Sequence, residues 1–218
     1  MSEYKIQFFN SELPKRLKYL LEEYYPVEKE KGKGYEVTFL ISMASCLFNN
    51  TNEQIANEFV NSDISERNLT TTNEFLDKEI KSVKDDLFQN IYKWEHKKTN
   101  FIRKEITVEY LKEKKYNDLL KSTKKVKGVI KCIRNGLAHN GICFGSEEGR
   151  INDIFLFSKA DPVGDIKNNI DYNILKIPVE SFYTFCINWI NYLNKNNLHI
   201  AVINNALDHD EERADERA

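Results

Sequence analysis

The most informative segment of the chain is residues 126–141, which read VKGVIKCIRNGLAHNG. Its apolar residues recur at helical spacing and form one stripe: Val126, Val129, Ile130, Ile133 and Leu137. This pattern predicts an amphipathic helix that packs one side on a core. Gly141 is predicted to end the helix as a left-handed C-terminal cap.

The polar residues of the same segment are distributed around the predicted helix. At about 100° per residue, Asn135 and His139 lie on one face one turn apart, roughly opposite the apolar stripe, so Asn135 can hold the imidazole. Arg134 lies near the edge of the stripe, about 140° from His139. The two reach one phosphate only if the helix ends or distorts near Gly136, or if a second copy supplies one of them. The geometry therefore favours a homodimer.

A concentration of positive charge leads into this segment. Residues 78–134 hold 17 Lys or Arg against 8 Asp or Glu, although the chain as a whole carries a net charge of −2. Such a region attracts phosphates and favours binding to RNA or DNA. The alternative is a solvated helical face. Five lysines could follow an RNA backbone, although each is individually typical of an ordinary surface lysine: Lys121, Lys124, Lys125, Lys127 and Lys131.

The residues Arg134-Asn135-Gly136-Leu137-Ala138-His139 resemble the R-N-x-x-x-H signature of the HEPN superfamily, the helical ribonucleases of toxin–antitoxin, anti-phage and CRISPR systems. A basic amphipathic helix runs into the motif and a helix breaker follows the histidine, as in that superfamily. The resemblance covers residues 35–200 as architecture and six positions as chemistry. It implies a mainly α fold, a HEPN-like helical bundle.

The resemblance also implies an activity, metal-independent endonucleolytic cleavage of RNA. The 2′-hydroxyl attacks the adjacent phosphate and leaves a 2′,3′-cyclic phosphate and a 5′-hydroxyl, at a composite site formed by two protomers. His139 would transfer protons, Arg134 would stabilise charge on the phosphoryl oxygens and Asn135 would orient His139. The implied partners are RNA, a second copy of the chain and an antitoxin or defence-system protein. No cofactor is implied.

The rest of the chain predicts a single domain over residues 1–206, with its core in about 35–200. A small β-hairpin at about 152–177 is predicted before the last long helix, which Pro178 opens. Residues 207–218 are strongly acidic and are predicted to form a flexible tail. The predicted helices are a first one after Ser11, a buried central one over 37–48, a long one over 75–94 and another over 110–120.

Several other kinds of protein are excluded or disfavoured by the sequence. The four cysteines are far apart, and Cys132, His139 and Cys143 lack a fourth ligand, so no disulfide framework or metal site is expected. Neither G-x-x-x-x-G-K-[ST] nor G-x-G-x-x-G occurs, so nucleotide-driven motors and dehydrogenases have no visible site. No targeting segment or long apolar run is seen, which predicts a cytoplasmic protein.

Two further interpretations of the motif remain open beside the ribonuclease. One is a non-catalytic HEPN-like scaffold that binds RNA or a partner protein. The other is a purely structural helical adaptor, because Arg and His near a helix C-terminus are favoured by the helix macrodipole and Asn-Gly pairs are common helix terminators.

Overall fold

The computed structural model describes residues 6–56, 74–100, 107–113, 115–159 and 171–195. The predicted acidic tail, residues 207–218, lies outside the described residues. The helices are α1 (Ile6–Glu30), α2 (Tyr35–Ala56), α3 (Val108–Glu113), α4 (Val126–Ala138) and α5 (Val179–Lys195). Two single turns of 3₁₀ helix lie at Ile80–Ser82 and Leu119–Lys121.

A five-stranded antiparallel sheet forms the centre of the structure. Its strands are β1 (Glu95–Asn100), β2 (Asn117–Asp118), β3 (Ile142–Glu147), β4 (Arg150–Lys159) and β5 (Asp171–Pro178). Their order is β2-β1-β5-β4-β3. The prediction of a mainly α HEPN-like helical bundle with one small β-hairpin is therefore wrong. β4 and β5 do pair antiparallel, as the hairpin requires, but they are inner strands of a larger sheet.

β1 shows why the sequence concealed this sheet. Its residues read EHKKTN, without the alternation of apolar and polar residues that marks a half-buried strand. β1 joins the sheet by pairing antiparallel with β5, from Glu95↔Lys176 to Asn100↔Asp171. Pairing of this kind depends on a partner far along the chain, and local pattern does not reveal it.

The long helix predicted over residues 75–94 is also absent. The backbone is helical only up to Leu76 and continues as a 3₁₀ turn and a series of turns, with left-handed backbone at Asn90 (φ 60°) and Lys93 (φ 55°). The apolar residues that suggested the helix are nevertheless all buried: Phe75, Ile80, Val83, Leu87, Ile91 and Trp94. Their spacing therefore reports burial in the core and not helical backbone.

The two faces of the sheet contact different parts of the chain. Leu156 and Leu175 belong to the main core, which the sheet shares with α1, α2, α4 and α5. Phe155 and Ile174 point to the opposite face, where Leu111 of α3 covers them. The predicted apolar stripe of the last helix is confirmed, because all its members are buried: Phe182, Phe185, Cys186, Trp189, Ile190 and Leu193.

Candidate active site at the C-terminal end of α4

α4 is the amphipathic helix that the sequence predicts. Its buried side carries most of the predicted stripe, and Leu137 is half-buried. The helix continues through Gly136, which is itself buried against Leu156, and ends at Ala138. The Cys132 thiol also faces the sheet, where its Sγ lies 3.5 Å from the carbonyl oxygen of Asn173.

The end of α4 is fastened to strand β4 by the backbone of Gly141. The Gly141 N–H donates to the Gly136 carbonyl (2.7 Å), and the Gly141 carbonyl accepts from the Phe157 N–H (2.8 Å). A Cβ at position 141 would lie 2.3 Å from the Phe157 carbonyl oxygen. The left-handed residue is Asn140 (φ 54°), so the predicted left-handed cap at Gly141 is wrong. Glycine is required there by the close approach of β4.

The three predicted catalytic residues lie in and immediately after the last turn of α4. His139 is the C-terminal cap; its N–H donates to the Asn135 carbonyl (3.0 Å) and its side chain is exposed. Arg134 and Asn135 are half-buried, and Arg134 Nη1 donates to Asn135 Oδ1 (3.3 Å). In the structure the Asn135 amide therefore bonds to Arg134 and not to the imidazole.

Arg134 and His139 are five residues apart, and α4 continues without a break from Arg134 to Ala138. Five helical residues correspond to a rotation of about 140°, and the helix has no break at Gly136 that would reduce it. The distortion near Gly136 that one chain would need to aim both groups at one phosphate is not there. A second copy of the chain is the other arrangement that brings the two groups together.

Part of the positive charge near the motif is neutralised by acidic residues. Asp77 accepts from Lys125 (3.2 Å) and Lys127 (2.6 Å), and these contacts hold the pKa of its carboxyl below the ordinary value. Lys121 pairs with Asp118 (3.3 Å). Asp77 could not be predicted as the partner of these lysines, because it precedes the basic region and is separated from Lys125 by 48 residues.

Three other side chains of types that occur in functional sites lie in the core or on the sheet. Trp94 is fully buried and packs edge-on against Phe88, so it is a core residue and does not present its face to a base. Cys132 is buried, which raises the pKa of its thiol to about 11. His96 on β1 is half-buried, and its pKa is lowered by burial and then by the charge of Lys124.

Two features are absent from the part of the chain that the structure describes. No group of three or more His, Cys, Asp or Glu side chains among the described residues could hold a metal ion. None of the helices described by the structure combines the length and the apolar character needed to cross a membrane.

The chain is similar to a known protein family. No curated protein and no solved structure matches the chain. A family model described as HEPN pEK499 p136 matches residues 1–199, which include α4 and its Arg134-Asn135 and His139 motif. Because this match spans nearly the whole chain, the chain belongs to this HEPN family.

Proposed function

We propose that the chain is a metal-independent endoribonuclease whose catalytic residues are Arg134, Asn135 and His139. The observation that carries the proposal is the exposed imidazole of His139 at the end of α4, one helical turn after Asn135, whose side chain accepts a hydrogen bond from Arg134. The HEPN family, to which the chain belongs, includes ribonucleases.

The proposed reaction uses the nucleophile that RNA itself carries. The 2′-oxygen forms a bond to the adjacent phosphorus while the bond from phosphorus to the 5′-oxygen breaks, which leaves a 2′,3′-cyclic phosphate and a 5′-hydroxyl. One group must accept the 2′-hydroxyl proton and another must protonate the leaving 5′-oxygen. An exposed histidine can do either near neutral pH. The planar guanidinium of Arg134 suits the charge that develops on the phosphoryl oxygens.

A homodimer is part of the proposal. Within one chain the unbroken helix keeps Arg134 and His139 apart, whereas two copies that meet across the ends of α4 can place the Arg134 of one beside the His139 of the other. The exposure of His139 is compatible with this arrangement. Sedimentation of the purified protein tests it, and a monomer that cleaves RNA would contradict it.

The enzymatic test uses purified protein with a metal chelator present. An RNA and its 2′-deoxy counterpart are incubated with the wild type, with His139→Ala and with Arg134→Ala, and the product ends are identified. We expect cleavage of the RNA alone, cyclic phosphate ends, and loss of cleavage in both variants with unchanged circular dichroism. Cleavage of the deoxy strand, or full activity of His139→Ala, would contradict the mechanism.

The alternative function is a non-cleaving HEPN-like module that binds RNA or a partner protein. The contact that favours it is the hydrogen bond between Arg134 and Asn135, because a half-buried arginine bonded to its neighbour is also a structural arrangement. A folded dimer that cuts no RNA in a broad panel would establish this alternative.

We extend the proposal to the biological setting, a cytoplasmic toxin–antitoxin or anti-phage defence system with its own partner protein. The support is the resemblance of the motif to ribonucleases of such systems. Induced expression in a bacterium should stop growth with the wild type and not with His139→Ala. Equal growth of the two strains would contradict a toxin.

A further inference from the structure

A cleft lies at the end of the sheet away from the proposed active site. It is lined by the turn between α1 and α2, the segment that precedes β1, the turn between β3 and β4, and the junction of β5 with α5. Its volume is about 790 Å³, which is in the range of small-molecule sites. β3 begins three residues after His139 and ends at Glu147 in the wall of the cleft, so its length of about 20 Å, at about 3.3 Å per residue, separates the two sites.

Three basic side chains of the cleft are not paired with an acid. Lys33, Lys93 and Arg150 come from three different turns, and all three are exposed. Among the described residues, none of them makes an ion pair. The two other cations of the lining, Lys29 and Lys176, contact carboxylates at 2.9 and 3.2 Å. Lysine and arginine are the side chains that bind phosphate, so the three unpaired cations offer a place for one.

The segment that carries one of these cations is held in place by α5. Ser181 is fully buried, and its hydroxyl accepts from the Tyr92 N–H (3.3 Å) and donates to the Tyr92 carbonyl (2.9 Å). Lys93 then has a left-handed backbone (φ 55°), which is costly for a residue other than glycine and is concentrated at functional sites. The exposed side chains of Tyr92 and Lys93 are thereby kept in the lining of the cleft.

The cleft also offers hydrogen-bond acceptors. Oε2 of Glu36 is buried and accepts no hydrogen bond from the part of the chain that the structure describes. A buried acceptor of this kind requires a donor. Asp153 of β4 is a second acceptor in the lining; it is half-buried, and burial raises the pKa of its carboxyl. A ligand that fits the cleft therefore carries an anionic group together with N–H or O–H donors.

The charges of the lining favour a small ligand over a nucleic-acid strand. Five Lys or Arg and five Asp or Glu side chains line the cleft, so its net formal charge is zero. A strand carries a phosphate at every nucleotide and would bring further phosphates close to the carboxylates. A single phosphate can contact the unpaired cations and leave the carboxylates to the donors of the same molecule.

We propose that the cleft binds a nucleoside 5′-monophosphate. Its phosphate lies against Lys33, Lys93 and Arg150, and its base stacks on the ring of Tyr92, which is 51% exposed. The hydroxyls of the ribose or the N–H groups of the base donate to Glu36. This inference does not depend on the proposed ribonuclease activity and adds a small-molecule site to the protein.

The first experiment is isothermal titration calorimetry of the full-length protein. AMP, GMP, CMP and UMP are compared with the four nucleosides and with inorganic phosphate. We expect saturable binding of at least one monophosphate, with a Kd lower than that of its nucleoside by about tenfold or more and raised by added salt. No binding of any monophosphate at millimolar concentration, or equal binding of a monophosphate and its nucleoside, would overturn the inference.

Matched variants then locate the site of binding. Lys93→Gln and Arg150→Gln should each raise the Kd about tenfold, because each removes one charged hydrogen bond. Lys84→Gln is the control, since Lys84 is an exposed lysine of the same segment as Lys93 and lies outside the lining. Tyr92→Ala should also weaken binding, whereas Tyr92→Phe keeps the ring and should not. Unchanged affinity in both charge variants, with folding verified by circular dichroism, would refute the cleft as the site.

A variant of the proposed active site separates the two sites. His139→Ala should bind the monophosphate as wild type does. If His139→Ala loses binding while the cleft variants keep it, the nucleotide binds at the end of α4 and the inference is refuted. A protein that binds the monophosphate in the cleft but cuts no RNA would contradict the ribonuclease proposal alone.

Discussion

Gly141→Ala is the substitution with the clearest structural consequence near the motif. The new Cβ would lie 2.3 Å from the Phe157 carbonyl oxygen, a backbone atom that cannot rotate away as a side chain does. Relieving such an overlap costs about 1–3 kcal/mol. Moving the two backbones apart also weakens the hydrogen bonds that Gly141 makes to Gly136 (2.7 Å) and Phe157 (2.8 Å), each worth about 1 kcal/mol. We expect a loss of about 2–4 kcal/mol in the free energy of unfolding.

The assay is equilibrium unfolding in urea, monitored by tryptophan fluorescence. Trp94 and Trp189 are both fully buried, so their emission changes when the core opens. The matched control is Gly128→Ala, where the added Cβ meets nothing within 4 Å and the helix should gain about 0.5–1 kcal/mol. The same chemical change is therefore predicted to have opposite signs thirteen residues apart. Equal stability of Gly141→Ala and wild type would refute the close approach of α4 and β4.

The same substitution should also affect RNA cleavage. His139 lies two residues before Gly141, so separating Gly141 from β4 displaces the imidazole. In conditions where circular dichroism shows the variant still folded, we expect the rate of cleavage to fall by more than the folded fraction does. A fall in rate that only matches the folded fraction would show that the position of His139 does not depend on this contact.

Three further predictions concern the core, the thiols and one ion-pair cluster. Phe185→Ala should lower the free energy of unfolding in urea by about 3–5 kcal/mol, because three aromatic rings lie 4.6–6.0 Å from its own. Iodoacetamide at pH 8 should label Cys46, which is exposed, and spare Cys132 and Cys186, whose thiol pKa values are raised by burial; mass spectrometry of native and unfolded protein checks this. Asp77→Asn should reduce the loss of unfolding free energy that wild type shows at acid pH. The lowered pKa of the Asp77 carboxyl stabilises wild type above pH 3.8, and this contribution is lost as the pH falls through the folded-state pKa. Urea unfolding of both proteins at neutral and acid pH measures the difference.

The helices that could be predicted are those that bury a single side against the core. α4 and α5 each bury one side fully in the core and leave the other side partly or wholly accessible, so the period of their buried residues equals the period of the helix. The apolar residues of 75–94 are also buried, but most of their backbone forms turns. The same spacing of apolar residues therefore gave a wrong prediction of a helix there. Periodicity records which side chains are buried, and it identifies a helix only where the backbone is regular.

The sheet could be predicted only where its strands are apolar. β4 and β5 carry Phe155, Leu156 and Ile174, which lie within the predicted hairpin at about 152–177. β1 is charged and β2 has two residues, and both are held by pairing and not by their own composition. Such pairing uses backbone N–H and C=O groups, which nearly every residue type supplies, so the side chains of these strands need not show an apolar pattern. The prediction of the fold class therefore failed because strands such as β1 and β2 lack an apolar pattern.

For the candidate site, the sequence predicted the helix and its residues but not what determines their position. The contact between Gly141 and Phe157 joins α4 to β4, an inner strand of a sheet that the sequence reduced to a hairpin. β3 begins three residues after His139 and pairs with β4, so the motif is bounded by backbone hydrogen bonds immediately beyond the helix end. A histidine that follows the last turn of an isolated helix would move as that turn frays. His139 is instead placed by the sheet, which makes the close contact at Gly141 a requirement of the proposed chemistry as well as of the fold.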